Sequence, residues 1–304
     1  MTLDSEDLNE DNNDNSEIDE NDDQVEFDSP LPRIISTNAR SIWPKLKNFK
    51  HILIANSITI ASVSETWEFP DSVHHHLVKQ DFKHRLGYKW FGAGRPKENG
   101  EWTQGGGHAV LVNTAHMDAT RIKEIDVPEP LCGRISGVVW VKAVPKVKCA
   151  ISILIIVGIY FKPNHKAKSL LNDHIAMNYH YLKSKYKSVN FIFLGDFNEL
   201  SPNILLLQAT SLRQLVHYPT CFPSGSCIDL IITDIGGHYQ PPAALPGLLP
   251  DPGTGGSQSD HIINILLPKN ADFLNSSRTS KVIKFRKITN SSVEAMGNFF
   301  YTHD

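Results

Sequence analysis

The segment "NFIFLGDFN" (190–198) limits this chain more than any other. "NFIFL" (190–194) is apolar on both faces, so as a strand it has no side to offer water. It must lie mid-sheet, with cover above and below. Other runs read as strands at 33–38, 58–66, 107–113, 134–144, 149–161, 228–233 and 262–267. Helical spacing appears over 41–53, with Ser41 as a candidate cap and Pro44 in the first turn, and again over 167–187. Many strands and few helices point to α/β layers built on two sheets, without a strict βαβ repeat. No internal repeat is evident. Residues 241–258, dense in Pro and Gly, are expected to form a loop.

Charge is distributed unevenly. Of the 33 acidic residues, 13 lie within residues 1–28, which contain no Lys or Arg. The remaining 20 face 30 basic residues, a net of +10 over 29–304. So acidic a segment cannot bury enough apolar surface to offset its ordering entropy, so residues 1–30 are expected to be a disordered tail. The basic body suits a phosphate-rich partner, DNA first and RNA second. No apolar run is long enough to span a membrane, and the N-terminus lacks a signal pattern. An intracellular protein is expected, with the nucleus as a plausible compartment. The four cysteines form no CxxC pair and read as reduced thiols, without a structural zinc site. "HHH" (74–76) reads as a surface loop, because adjacent histidines point different ways. "QGGGH" (104–108) lacks the Lys and Ser/Thr of a phosphate-cradling loop and reads as a tight turn leading into a strand. "YKWFGAGRPK" (88–97) mixes bases with aromatics, which suits either stacking on nucleic acid or an ordinary strand and turn.

Chemistry-bearing residues recur near strand ends: Asn38, Glu65, Tyr160, Asp196 with Asn198, Asp229, and Asp260–His261 just before the last strand. Residues 196 and 198 share one side of an extended chain. Asp and Asn are also common turn formers, so any one of these positions is ambiguous. Their recurrence at strand ends implies a shared site in the mouth between two sheets.

The ordered series "TNARS" (37–41), "SETW" (64–67), "GGGHAVLV" (105–112), "GIYFKPN" (158–164), "LGDFN" (194–198), "PTCFPSGSCIDLIIT" (219–233) and "SDH" (259–261) resembles the endonuclease/exonuclease/phosphatase superfamily. Within it, the series is most similar to the endonuclease domains of non-LTR retrotransposons. The resemblance covers about 33–268 and implies one domain of this kind over 31–268, a four-layer α/β sandwich. In that fold two mainly antiparallel sheets pack face to face with helices outside. It also implies a phosphodiesterase that uses Mg²⁺, with Mn²⁺ as a substitute, to nick DNA. Glu65, Asn38 and Asp260 would serve the metal. Asp196 would position or deprotonate the attacking water, and Asn198 would hold that water or the phosphate. His261 would contact the phosphate, oriented by Asp229, and Tyr160 would lie near the scissile bond. Arg40 stands where many abasic-site endonucleases carry an acid; "NARS" favours the retrotransposon branch. No reverse-transcriptase signature follows, and residues 269–304 read as a linker or terminal helix. A module, a fragment of a larger polyprotein or a domesticated gene are all compatible readings. Rival functions are a phosphatase acting on phospholipid head groups and an inactive nucleic-acid-binding protein. The sequence does not define an oligomeric state.

The tail and the body carry opposite charge, so the tail is expected to compete with DNA. Deleting residues 1–28 should tighten DNA binding at low salt, as read by fluorescence anisotropy. An unchanged affinity would remove this role for the tail.

Overall fold

A computed structural model describes residues 31–68, 73–94, 97–98, 101–102, 105–127, 137–162, 168–222 and 224–269. The acidic segment and the residues after 269 lie outside these ranges. In chain order the strands are β1 (Ile34–Asn38), β2 (Ile60–Ser64), β3 (Tyr88–Ala93), β4 (Lys97–Glu98), β5 (Glu101–Trp102), β6 (His108–Asn113) and β7 (Lys123–Glu124). They continue as β8 (Val138–Ala143), β9 (Leu154–Tyr160), β10 (Asn190–Asp196), β11 (Arg213–Gln214), β12 (Asp229–Thr233), β13 (Ala243–Leu245) and β14 (Ile263–Leu266). The helices are α1 (Leu46–Ala55), α2 (Val73–Leu86), α3 (Lys168–Lys185) and α4 (Asn203–Gln208).

Ten strands and two short edge pieces make two six-stranded sheets. The first runs β13-β14-β1-β2-β6-β3 and the second β11-β12-β10-β9-β8-β7. Among the described residues, only β1–β2 and β9–β10 pair in parallel within the two sheets; their other neighbours are antiparallel. Each strand supplies two faces in alternation. Ile34, Ile60, Val110, Val112, Ile156, Ile192, Leu194 and Ile231 pack between the sheets. Ile35, Ala61, Val63 and Leu111 turn outward onto Phe49, Leu53 and Phe82 of α1 and α2. Ile155, Val157, Phe191 and Phe193 turn outward onto Leu171, Tyr179 and Leu182 of α3. Three cores thus separate four layers, helix–sheet–sheet–helix, as the sequence implied.

The inner face changes character along its length. Reading up β1 it is Ile34, Ser36, Asn38; up β2, Ile60, Ser62, Ser64; up β10, Ile192, Leu194, Asp196. Apolar residues close one end of the sandwich and polar ones open the other. Between them sits His108, fully buried at the start of β6. Its Nε2 lies 3.2 Å from Ser62 Oγ and its Nδ1 3.2 Å from Ser64 Oγ. Gly158 on β9 makes room for this ring: a Cβ there would stand 2.3 Å from His108 Nε2.

Three local expectations change. Ser41 does not cap the first helix. It sits at φ 73° after Arg40 at φ 42°, and the helix opens through a 3₁₀ turn, Trp43–Lys45. The cap comes from Asp251 instead, whose Oδ2 and Oδ1 accept from the backbone N–H groups of Lys47 (3.0 Å) and Asn48 (3.1 Å). The 241–258 segment is accordingly not all loop: β13 adds an edge strand, and the rest is docked on α1 through Asp251 and buried Leu248. The histidine run is not a surface loop either. It lies in α2, where successive side chains point about 100° apart, so His75 is buried against Trp43 while His76 is exposed. In "YKWFGAG", Tyr88 and Trp90 pack on Phe82, the ordinary strand alternative.

Burial lowers the His108 pKa to about 3. The folded chain therefore refuses a proton that the unfolded chain takes up near 6.5. The stabilising preference for neutral His108 is complete above 6.5 and is lost as pH falls toward 3, an amount on the order of 4 kcal/mol. In urea unfolding the wild type should lose stability over this window faster than His108→Val. Parallel losses would show that His108 does not titrate as described.

Candidate active site

The polar end of the inner face gathers all eight nominated side chains. Asn38 closes β1 and Asp196 closes β10, so they face each other from different sheets. Asn38 Nδ2 donates to Asp196 Oδ2 at 2.8 Å and to Glu65 Oε1 at 3.0 Å. Its Oδ1 is held by the Arg40 backbone N–H at 2.9 Å. The Ser64 hydroxyl, next to Glu65, accepts from the Asp196 backbone N–H at 3.2 Å. Asp229 opens β12 directly across from Asp196 in the antiparallel register, and Tyr160 flanks Asp196 from β9. Asp229 Oδ2 bonds His261 Nδ1 at 2.8 Å, while Asp260 Oδ1 lies 3.9 Å from His261 Nε2. Asn198 is bound in place twice: its backbone N–H donates to Asp196 Oδ1 at 2.9 Å, and its side-chain amide donates to the Phe161 carbonyl at 2.7 Å.

The backbone around this site is held in an uncommon shape. Among the described residues, six non-glycines have positive φ, and five of them flank the site: Arg40, Ser41, Glu65, Trp67 and Asn198. Such conformations persist where surrounding contacts over-determine them, and they cluster at functional sites. Gly195, at φ 138°, brings β10 against β9 so closely that a Cβ would meet the Ile159 carbonyl at 1.9 Å. In the sequence this glycine suggests a turn or a close ligand; in the fold its close neighbour is a strand backbone.

Electrostatics follow from burial. Burial and the neighbouring Asp229 push Asp196 well above the ordinary carboxylate range. Burial also raises Asp229. For His261, burial opposes charging, but the Asp229 hydrogen bond and charge, with Asp196 behind, lift it to about 9. Burial, then Glu65 and Asp196, raise the Tyr160 phenol, so it remains protonated. The pocket thus crowds carboxylates beyond what His261 alone balances, and added positive charge would relieve it. Buried Oδ1 atoms of Asp229 and Asp260 find no hydrogen-bond partner among the described residues. Oxygen donors of this kind suit a hard divalent cation. Asp196, Asp229 and His261 also bring donor atoms within 4.8 Å of one another; Glu65 stands outside that trio.

Two basic residues complete the site, and sequence patterns show neither role. Arg40 Nη1 pairs with Asp260 Oδ2 at 2.6 Å. Lys45, 1% exposed, turns its ammonium back onto the loop and donates to the carbonyls of Ala39 (2.6 Å), Arg40 (2.8 Å) and Ser41 (3.2 Å). Burial, then Arg40, lowers its pKa to about 8. In sequence Lys45 looks like an ordinary helix-start lysine, and only the left-handed turn ahead of it makes it a clamp.

No family model and no curated protein matches the sequence. Solved structures do. The endonuclease domain of TRAS1, a telomere-specific non-LTR retrotransposon, superposes with a TM-score of 0.51 at 15% identity, over 80% of this chain and 100% of that one. An AP endonuclease from Leishmania major gives 0.54 at 12% identity, over 79% and 88%. A 3′–5′ exonuclease from Neisseria meningitidis gives 0.53 at 15% identity, over 78% and 99%. The chain has the endonuclease/exonuclease/phosphatase fold.

Lys45→Met keeps the stem and deletes the ammonium, leaving three carbonyls without their charged donor. It should lower unfolding stability by roughly 2–3 kcal/mol and speed amide exchange at Arg40 and Ser41. Stability within ~0.5 kcal/mol of wild type would show that the clamp contributes little.

Proposed function

We propose that this chain is a divalent-metal-dependent phosphodiesterase that nicks DNA, of the kind found in non-LTR retrotransposons. The observation that carries the reading is the buried junction of Asn38, Glu65 and Asp196, with the Asp229–His261 pair beside it, at the polar mouth between the sheets. The likeness of the fold to the TRAS1 endonuclease domain, and the basic balance of residues 29–304, support DNA as the substrate.

Glu65 and Asp260 would hold Mg²⁺ or Mn²⁺, joined by Asn38 if its amide oxygen is released from the Arg40 backbone N–H. When bound, the cation supplies positive charge for the phosphate oxygens and the leaving 3′ oxygen. Asp196 accepts a proton from the attacking water, and its raised pKa suits a base working near neutral pH. The water oxygen forms a bond to phosphorus as the P–O3′ bond breaks, leaving 3′-hydroxyl and 5′-phosphate ends. His261, charged at neutral pH and fixed by Asp229 on Nδ1, presents Nε2–H to a phosphate oxygen. Tyr160 remains a phenol and offers a second donor. Asn198 shapes the floor by fixing the rotamer of Asp196 through its backbone N–H.

Supercoiled plasmid with Mg²⁺ should become open circles that ligase can reseal, and EDTA should stop the reaction. Asp196→Ala and His261→Ala should each slow nicking by at least ~10²-fold while circular dichroism shows a retained fold. Undiminished nicking by either variant would exclude the mechanism.

A further inference from the structure

We infer that Cys221, Asp260 and His261 form a second cation site, selective for zinc or cadmium, at the rim of the proposed catalytic pocket. The sulfur of Cys221, a carboxylate oxygen of Asp260 and a ring nitrogen of His261 lie within 4.8 Å of one another. They come from two loops, Cys221 from one and the adjacent Asp260 and His261 from the other. Cys221 sits on the hairpin before β12, where its backbone pairs with His261 across an isolated bridge and the Phe222 N–H donates to the Asp260 carbonyl at 3.0 Å. These backbone contacts fix the three positions relative to one another before any ion arrives.

Asp229 occupies His261 Nδ1, which leaves Nε2 for a ligand. A carboxylate behind a histidine is the usual support for a zinc-bound imidazole. Arg40 occupies Asp260 Oδ2, leaving the buried Oδ1 without a hydrogen bond among the described residues and in a loose 3.9 Å ion pair with His261 Nε2. Zinc bond lengths put tetrahedral donors roughly 3.3–3.6 Å apart, so the 3.9 Å Asp260–His261 pair must close by about half an ångström and the other pairs, all within 4.8 Å, by up to roughly an ångström. One sulfur, one nitrogen and one oxygen favour zinc or cadmium over magnesium. Three protein ligands leave a fourth position for water. Binding releases the Cys221 thiol proton and the His261 Nε2 proton to solvent.

The consequence rests on the nuclease reading above. An ion here takes His261 Nε2 away from the phosphate and Asp260 away from magnesium, so micromolar zinc would act as an inhibitor. Binding itself does not depend on that reading. It is tested by titrating the full-length chain with Cd²⁺ and following the ultraviolet thiolate-to-cadmium charge-transfer band. The wild type should show a saturable one-to-one band. Cys227→Ser should keep it, and Cys221→Ser should weaken binding on the order of tenfold or more. Zinc should inhibit plasmid nicking by the wild type and spare Cys221→Ser. No band in the wild type, or the same band in Cys221→Ser, would overturn the site. A chain that binds cadmium through Cys221 but never nicks DNA would keep this site and reject the nuclease.

Discussion

One amide holds the two halves of this molecule in working relation. Asn38 Nδ2, at the end of a strand in the first sheet, reaches Glu65 beside it and Asp196 in the second sheet. Both carboxylates are drawn to a donor that is buried, so neither can swing away without leaving it unpaired. Ser64 repeats the cross-sheet link one residue before Glu65, through the Asp196 backbone N–H. The sandwich is therefore joined at its polar end by hydrogen bonds and at its other end by apolar packing.

That polar end carries a charge problem that the fold only partly solves. Glu65, Asp196, Asp229 and Asp260 converge, and burial denies water to Asp196 and Asp229, while Glu65 and Asp260 are half-buried. His261 answers Asp229, and Arg40 answers Asp260. Lys45 spends its hydrogen bonds on three carbonyls and so shapes the turn that delivers Arg40, while its charge also reaches Asp260 and Glu65. What remains is a negative cleft inside a basic body. A cation with oxygen affinity suits the inner part of it, and the thiol at its rim gives the outer part a different preference.

Much of this was legible in the sequence, for a physical reason. Strand alternation is strict, so "IISTN", "IASVSET" and "NFIFLGDFN" each announce which residues emerge on the inner face and where apolar gives way to polar. The helix start at 41–45 was not legible, because its cap, Asp251, arrives from about 200 residues away and its turn is held by a buried ammonium. His108 was hidden for a similar reason: a histidine after three glycines reads as a turn residue until Gly158 and two serines are seen to enclose it. Local pattern reports faces and ends; it does not report partners supplied by distant loops. Cys221 shows the same limit. Its spacing to other cysteines excludes a zinc motif, yet folding sets it beside a histidine and an aspartate forty residues on.

The central claim is the proposal that Glu65, with Asp260 and Asn38 beside it, would seat a hard divalent cation. Crystals of the chain grown with Mn²⁺ and measured at the manganese absorption edge test it most directly. The account requires an anomalous peak within bonding distance of a Glu65 carboxylate oxygen. A peak confined to other residues, or none at saturating Mn²⁺, would contradict it.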